Sequence, residues 1–519
     1  MRLILLSLVV SILPSLIHQQ VYGQILPGQI PSPYKSISQN SVSNMGALGD
    51  TLWIGPRMNF NIGNELDWRI AEGIDSVTDG RGRLFSIALA RDTVIAGIGY
   101  SDTSGEDPVQ AQMGFYITTD GGESWVLIDT SRTLDSPDAN TVHYGGQDLE
   151  IIPVIVPQQS PPYMVDFKDD VIFFAGWASG IRRSTDLGQT WERVVLPPFE
   201  LDELHPEETY NFKIDPRGDG QNNNFLNFLG FSVLIGSDGN VYAGTAGGLN
   251  ISDNALTAPA DSIRWRHIRQ TQNPEGLLGN WITSIRENPY DNAIWMTNWT
   301  AITGQDVEGI VVTRDSGDTF EQHLPGERIY DIGFNGQTIF AVGNNGVFIS
   351  RNNGESWRQV RQIRSANTEM KPRATYYAVS NAKGRVWIGT SDGLASTVDD
   401  GESWEITRVN FPLDGKNQFQ DDAPDVNAYA YPNPFSPRQH DLVRIKFENQ
   451  EAGTVTIRLF DFGMNLIRIL DDKRELGSGT FEAVWDGTDQ QGRKVANGTV
   501  FYEVDTGNRR SVGKILLLE

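Results

Sequence analysis

Thr118-Thr119-Asp120-Gly121-Gly122-Glu123-Ser124-Trp125 sets an eight-residue pattern, Ser/Thr-x-Asp-x-Gly-x-Ser/Thr-aromatic, to which the chain keeps returning. It recurs from Ser184 through Asp186 and Gly188 to Trp191, from Thr313 through Asp315 and Gly317 to Phe320, and from Thr397 through Asp399 and Gly401 to Trp404. A fifth copy runs from Ser350 through Asn352 and Gly354 to Trp357, with Asn in the Asp position. Each copy follows an apolar run, a Gly-containing turn and a second short apolar run, as in 338–343 then 346–350 and 385–389 then 393–396. Segments 240–244 and 247–252 have the same form, but an insertion separates them from Trp265. Segment 51–55, leading to Trp68, is a further degenerate copy.

The terminal aromatics Trp68, Trp125, Trp191, Trp265, Phe320, Trp357 and Trp404 mark seven units at intervals of 57, 66, 74, 55, 37 and 47 residues. Self-similarity at such periods is the mark of a repeat architecture. Each unit reads as four short antiparallel strands, one blade of a β-propeller. The motif explains itself locally. Asp and Ser/Thr side chains bond backbone N–H groups in a tight turn, Gly takes a positive φ, and the aromatic packs between neighbouring sheets. That role accounts for the Asp residues without catalysis. The pattern resembles the Asp-box (BNR) repeat shared by sialidases, sortilin-type receptors and several bacterial propeller families, over roughly residues 50–411. The seven marked units read as an all-β, seven-bladed propeller, and the resemblance agrees with a propeller fold.

Composition agrees with a turn-rich β protein: 53 Gly and 25 Pro among 519 residues, with 39% hydrophobic and 10% aromatic residues. The 66 acidic residues against 42 basic ones, a formal charge of −24, repel a phosphate backbone, so no nucleic-acid partner is expected. The start reads as an export signal over 1–23, with Met1-Arg2, an apolar run from Leu3 to Ile17 and small residues up to Gly23. That run is too short for a spanning helix, so no membrane span is expected in the mature chain. Without Cys, stability outside the cytoplasm must rest on core burial.

Residues 24–49 form an N-terminal segment, and 412–428, polar and acidic, read as a linker. From Tyr429 alternation changes to that of half-buried strands, in 443–447, 453–460, 466–470, 479–485, 499–504 and 513–518. The 429–519 region suits a small immunoglobulin-type sandwich. Its motifs Tyr431 to Phe435, Val484 to Gly487 with Asp489 and Gly492, Gly498 to Tyr502, and the ending Lys514 to Glu519 look like the type A sorting domain of the type IX secretion system. That domain is similar to the immunoglobulin-like domain of the flagellar hook-capping protein. The resemblance implies that the tail addresses outer-membrane secretion machinery and directs the chain to the cell surface or medium. Glu519 stands where a basic residue is common.

In a four-stranded meander the Asp-box turn joins strands three and four, so strand two-to-three turns and inter-blade loops emerge on the opposite face. That face carries the long insertions 99–113, 129–164, 197–230, 269–281 and 298–309. Long loops on a rigid scaffold are the usual place for binding. Trp177, Trp281 and Trp299 are the candidate ligand contacts, for an extracellular glycan or protein. The acidity lies in the propeller: the last 94 residues hold 12 basic and 13 acidic groups, against 30 and 53 in the rest. No metal or other cofactor is expected. The acids around Asp215 fail the alternating calcium-loop pattern, the six His lack ligand spacing, and Arg217-Gly218-Asp219 is too short to specify a partner. A secreted sialidase-like glycoside hydrolase is the alternative to a binding module. Its aromatic-Arg-Ile-Pro segment is met only by Trp68-Arg69-Ile70-Ala71, without the Pro, so no catalytic residue is assigned.

Overall fold

A computed structural model describes residues 37–62, 68–70, 82–218, 223–271, 273–300, 306–382, 384–409 and 426–519. The expected export signal, residues 24–36, and residues 412–425 of the expected linker lie outside them. Among the described residues the chain lays down seven successive antiparallel meanders, starting at Met45, Arg83, Pro162, Gly230, Trp281, Ile329 and Tyr376. The fourth gains a fifth strand, Glu203–Leu204, beside its outer strand Trp265–Ile268. The first sheet opens with Met45–Leu48, paired with Thr51–Ile54. The boundary expected at residue 50 therefore falls inside a hairpin and moves upstream.

The sheets form a propeller because their first strands close a cycle. Each first strand touches the next, and Tyr376–Ala382 of the last sheet returns to Met45–Leu48. The seam is apolar: Val42, Met45, Leu52 and Trp68 share one buried cluster with Tyr377, Trp387 and Leu394. The Val42 N–H donates to the Thr390 carbonyl at 2.8 Å across it.

The marker aromatics lie at the start of, or just before, the outer strand of each sheet, and each packs back onto the sheet before it. Trp125 meets Trp53 at 5.9 Å, Trp191 stacks on Phe115 at 5.3 Å, and Trp357 meets Trp295 at 6.5 Å. Phe320 joins a cluster with Tyr242 and Ile251, Trp404 one with Ile349, and Trp265 one with Phe173. Trp68, fully buried, meets Trp387 of the seventh sheet at 6.0 Å and completes the circle.

The Asp-box turns repeat one hydrogen-bond pattern. In the copies at Asp120, Asp186, Asp315 and Asp399, Oδ1 accepts the N–H four residues on (Ser124, Thr190, Thr319, Ser403) at 2.8–3.0 Å, and Oδ2 accepts that residue's hydroxyl. Asn352 keeps the first bond, to the Ser356 N–H at 3.0 Å. The leading hydroxyl accepts the N–H of Gly122, Gly188, Gly317, Gly354 and Gly401. These glycines are required twice over. Their φ lies between +82° and +97°, and at Gly317 or Gly401 a Cβ would stand 2.5 Å from Ile251 or Ile349 of the preceding sheet. The fourth sheet also carries a box. Asn254 Oδ1 accepts the N–H of Arg264, the residue before Trp265, at 2.9 Å, ten positions on instead of four.

The C-terminal unit starts at Ala428 and faces a three-stranded sheet against a four-stranded one. Phe435, Val443, Ile445, Ile457, Leu459, Trp485, Val500 and Leu517 fill the space between them. The pattern-based strands are all present, and 466–470 extends to Leu466–Leu476.

Candidate functional site

The meander order puts the Asp boxes on one face and the strand two-to-three turns, with the connections between sheets, on the other. On that second face the inner strands share a defect. In six of them the register to the second strand slips near the start, between Leu84/Ser86, Pro162/Met164, Gly230/Ser232, Ile282/Ser284, Ile329/Asp331 and Tyr376/Ala378. The skipped residues are Phe85, Tyr163, Phe231, Thr283, Tyr330 and Tyr377. A bulge leaves one residue out of the pairing and re-aims its side chain. Repeated around a ring of inner strands, it sets five aromatic side chains and one Thr at one level around the axis.

The aromatics touch in sequence. Ring centroids lie 6.4 Å apart for Phe85 and Tyr163, 6.0 Å for Tyr163 and Phe231, and 5.8 Å for Tyr330 and Tyr377. The gap at Thr283 is bridged by Trp281, 5.2 Å from Phe231, and by Trp299, 5.2 Å from Tyr330. Trp281 and Trp299 oppose each other in the sheet register. Trp177 adds a second layer, 5.1 Å from Phe231 and 5.8 Å from Trp281. Phe85, Tyr163, Phe231 and Tyr330 are half-buried, whereas Tyr377 is buried.

The three tryptophans singled out from sequence are thus brought together, in one cluster, but only Trp177 lies in a turn, between the strands Val171–Gly176 and Gly180–Ser184. Trp281 begins the strand Trp281–Glu287 and Trp299 ends Ile294–Trp299, and they are 4% and 9% exposed. Trp299 is fixed by its indole N–H, which donates to the Ile329 carbonyl at 2.7 Å, and by the Arg328 guanidinium 5.1 Å over its ring. Glu308 in turn accepts from Arg328 Nε at 2.7 Å. These two tryptophans brace the arc, and Trp177 with the bulged aromatics presents the more accessible surface.

Desolvation raises the hydroxyls of Tyr163 and Tyr330 above the ordinary tyrosine range and that of Tyr377 to about 12. They stay neutral donors at physiological pH. Three residues along the inner strand from Tyr163, Asp166 is pushed up to about 6 by desolvation, against the pull of N–H groups of Ile235 and Phe167 and the charge of Arg286. Asp331 accepts from Arg286 Nε at 2.9 Å and from the Val379 N–H at 3.1 Å, tying three sheets together near the axis. Ser86 and Ser232, each just after a bulge, donate at 2.8 Å to the carbonyls of Pro162 and Ile282, each just before the next one.

Sequence reading missed the bulged aromatics. The available signal was an aromatic second or third in the apolar run opening five of the units, as in Leu84-Phe85-Ser86, Gly230-Phe231-Ser232 and Ile329-Tyr330-Asp331. Among the described residues, no cluster of three or more His, Asp or Glu side chains is placed to hold a metal ion, and no helix is long and apolar enough to cross a membrane.

No family profile and no curated protein matches the sequence. Solved structures do align. PorZ, a surface component of the type IX secretion system of Porphyromonas gingivalis, is 12% identical with a TM-score of 0.34, over 93% of this chain and 76% of that one. A GH74 enzyme from Niastella koreensis is 11% identical with a TM-score of 0.46, over 95% and 75%. The WD40 β-propeller domain of Doa1 is 14% identical with a TM-score of 0.38, over 71% and 96%. At these values the likeness concerns architecture and says nothing of what the chain binds.

Proposed function

We propose that the chain is an exported binding protein, a seven-bladed Asp-box propeller whose ligand sits on the aromatic face, carried to the cell surface or medium by an immunoglobulin-like sorting domain. The observation that carries the binding reading is the arc from Phe85 to Tyr377. Six register slips at one position re-aim side chains on one face, where Phe85, Tyr163, Phe231 and Tyr330 stay half-buried, and bulges of this kind concentrate next to functional sites. Flat, half-buried rings beside neutral tyrosine hydroxyls suit the apolar faces and hydroxyl edges of an extracellular glycan, or the side chains of a protein segment. Export rests on the signal pattern in 1–23, and sorting rests on the tail motifs from Tyr431 to Glu519.

A glycan array run beside hydrolysis of fluorogenic sialoside and glucan substrates tests the binding reading. Retention of one glycan class, lost in a Tyr163→Ala and Phe231→Ala double variant, is the expected result. Turnover without retention points instead to a sialidase-like hydrolase. Deleting 429–519 in the native host tests sorting, because a truncated chain still displayed at the surface removes that role from the tail.

A further inference from the structure

The sandwich does not hang from the propeller as a free tail. Its three-stranded sheet sits against residues 361–375, which connect the sixth and seventh sheets, and against the turn at Ser391-Asp392, both on the aromatic face. Four charges bond across the junction, one acid and one base from each side, with buried Lys446 of the sandwich opposite Glu482 in the sheet register. Arg408 of the propeller donates to Glu482 of the sandwich at 3.1 Å, and Arg444 of the sandwich donates to Asp392 of the propeller. Arg408 also bonds Asp392 at 3.1 Å, joining the two pairs into one network. Their side chains are 3–15% exposed.

Neutral partners extend the set. Thr368 donates to Glu482 at 2.5 Å, the Tyr431 hydroxyl donates to the other Glu482 oxygen, and the Lys371 N–H donates to Asp392 at 2.8 Å. The Glu482 N–H reaches the Asn367 carbonyl at 2.9 Å, so backbone as well as side chains cross the junction. Burial pushes the Asp392 carboxyl up, but Arg444 and Arg408 outweigh it and hold it below the usual carboxylate range. At the rim, Arg373 pairs with Asp441 and Arg474 donates to the Ala366 carbonyl at 3.2 Å.

We propose that this reciprocal network is a self-sufficient latch, which keeps the sandwich seated on the propeller after the covalent connection between them is cut. Two crosswise pairs fix orientation as well as position, since rotating the sandwich would face Arg444 with Arg408 and Glu482 with Asp392. Separation trades these bonds for hydration, whereas truncating one partner in the seated state leaves the other charge buried and unpaired, which characteristically weakens an interface more than losing a rim charge does. The inference does not depend on the sorting reading. It concerns how the two units hold together, whatever the sandwich addresses.

The test places a site-specific protease sequence within 412–425 of the full chain, cuts it, and follows the fragments by size-exclusion chromatography at about 0.15 M salt, where exposed charges are screened beyond roughly 8 Å. Co-elution of the two fragments is expected, and separate elution of the cut wild-type chain overturns the latch. In a cut Glu482→Ala variant the fragments should dissociate with a Kd raised about thirtyfold or more, the span given by loss of one buried charge partner. Co-elution that survives both this change and Asp392→Asn, made from the propeller side so that the sandwich sequence stays intact, assigns the contact to something other than the charges and overturns the proposal equally. Thermal melting of each uncut variant separates a lost contact from a lost fold.

Discussion

The two faces of the propeller are built by opposite means. On the Asp-box face each turn is specified within eight consecutive residues, and five copies repeat the same bonds. On the aromatic face the common feature is a register slip between strands, and the residue it re-aims ranges over Phe, Tyr and Thr. The first face fixes the scaffold by local chemistry. The second inherits its geometry from the ring and is free to vary the side chain it presents. Stability and recognition should therefore be separable by mutation.

The largest effect is expected at the seam. Trp68→Ala removes a fully buried ring that packs on Trp387 and should cost about 3–5 kcal/mol in thermal or denaturant unfolding. Trp357, half-buried on Trp295, should cost less when truncated. An unchanged melting temperature for Trp68→Ala would mean that the ring is not closed through this contact. Next comes Gly401→Ala, which sets a Cβ at φ +82° and 2.5 Å from Ile349 and should cost about 1–3 kcal/mol. The same change at Gly336, where nothing lies within 4 Å of the added atom, isolates the backbone part of that cost.

On the aromatic face the order of effects should invert. Tyr163→Leu keeps apolar bulk and should move stability by less than about 1.5 kcal/mol, while ligand retention falls about tenfold or more. A large loss of stability with binding intact would make the arc a packing device and erase the contrast.

The smallest and sharpest test is titration. Asp399 is held at about 2 by the hydroxyl and N–H of Ser403, with burial opposing, and Asp315 at about 2, where burial is outweighed by Thr319. Because these folded values lie below the unfolded one near 3.9, their stabilisation is present above about pH 4 and is lost as pH falls towards 2. Asp166 runs the other way. With a folded value of about 6, its penalty appears as pH rises from about 4 to 6. Melting curves between pH 2 and 8 should show Asp399→Asn flattening the acid limb and Asp166→Asn raising stability increasingly from about pH 4 to a plateau above about pH 6. Superimposable curves would dismiss both assignments.

The sequence made the repeats legible because the box is contiguous. Its hydroxyl, carboxylate, glycine and aromatic appear in order, so Asp120, Asp186, Asp315, Asn352 and Asp399 could be read directly, with Trp125, Trp191, Phe320, Trp357 and Trp404 as the wedges that pack on the preceding sheet. The sandwich strands were legible for a similar reason, since alternation survives in 453–460 and 479–485. Tyr163 and Phe231 were not. A bulge is a relation between two strands, and the residue it expels looks like any core aromatic until the pairing is known. The same holds for Trp281 and Trp299, placed on loops by the length of the neighbouring insertions although one opens a strand and the other ends one. The charges at the domain junction were hidden for the simplest reason: Arg408 and Glu482 are 74 positions apart, and no local pattern relates them.

The bond from Arg264 to Asn254 carries one more consequence. The fastener of the fourth sheet works with six additional residues threaded through its middle, so its two halves need to meet in space and not in sequence. The added stretch is anchored by buried Ala255 and Ile263 and exposes Thr257 and Pro259 at its crest. That crest is a natural graft point, where a peptide tag or a small folded cargo would project from the side of the molecule away from the aromatic arc, leaving the ring undisturbed.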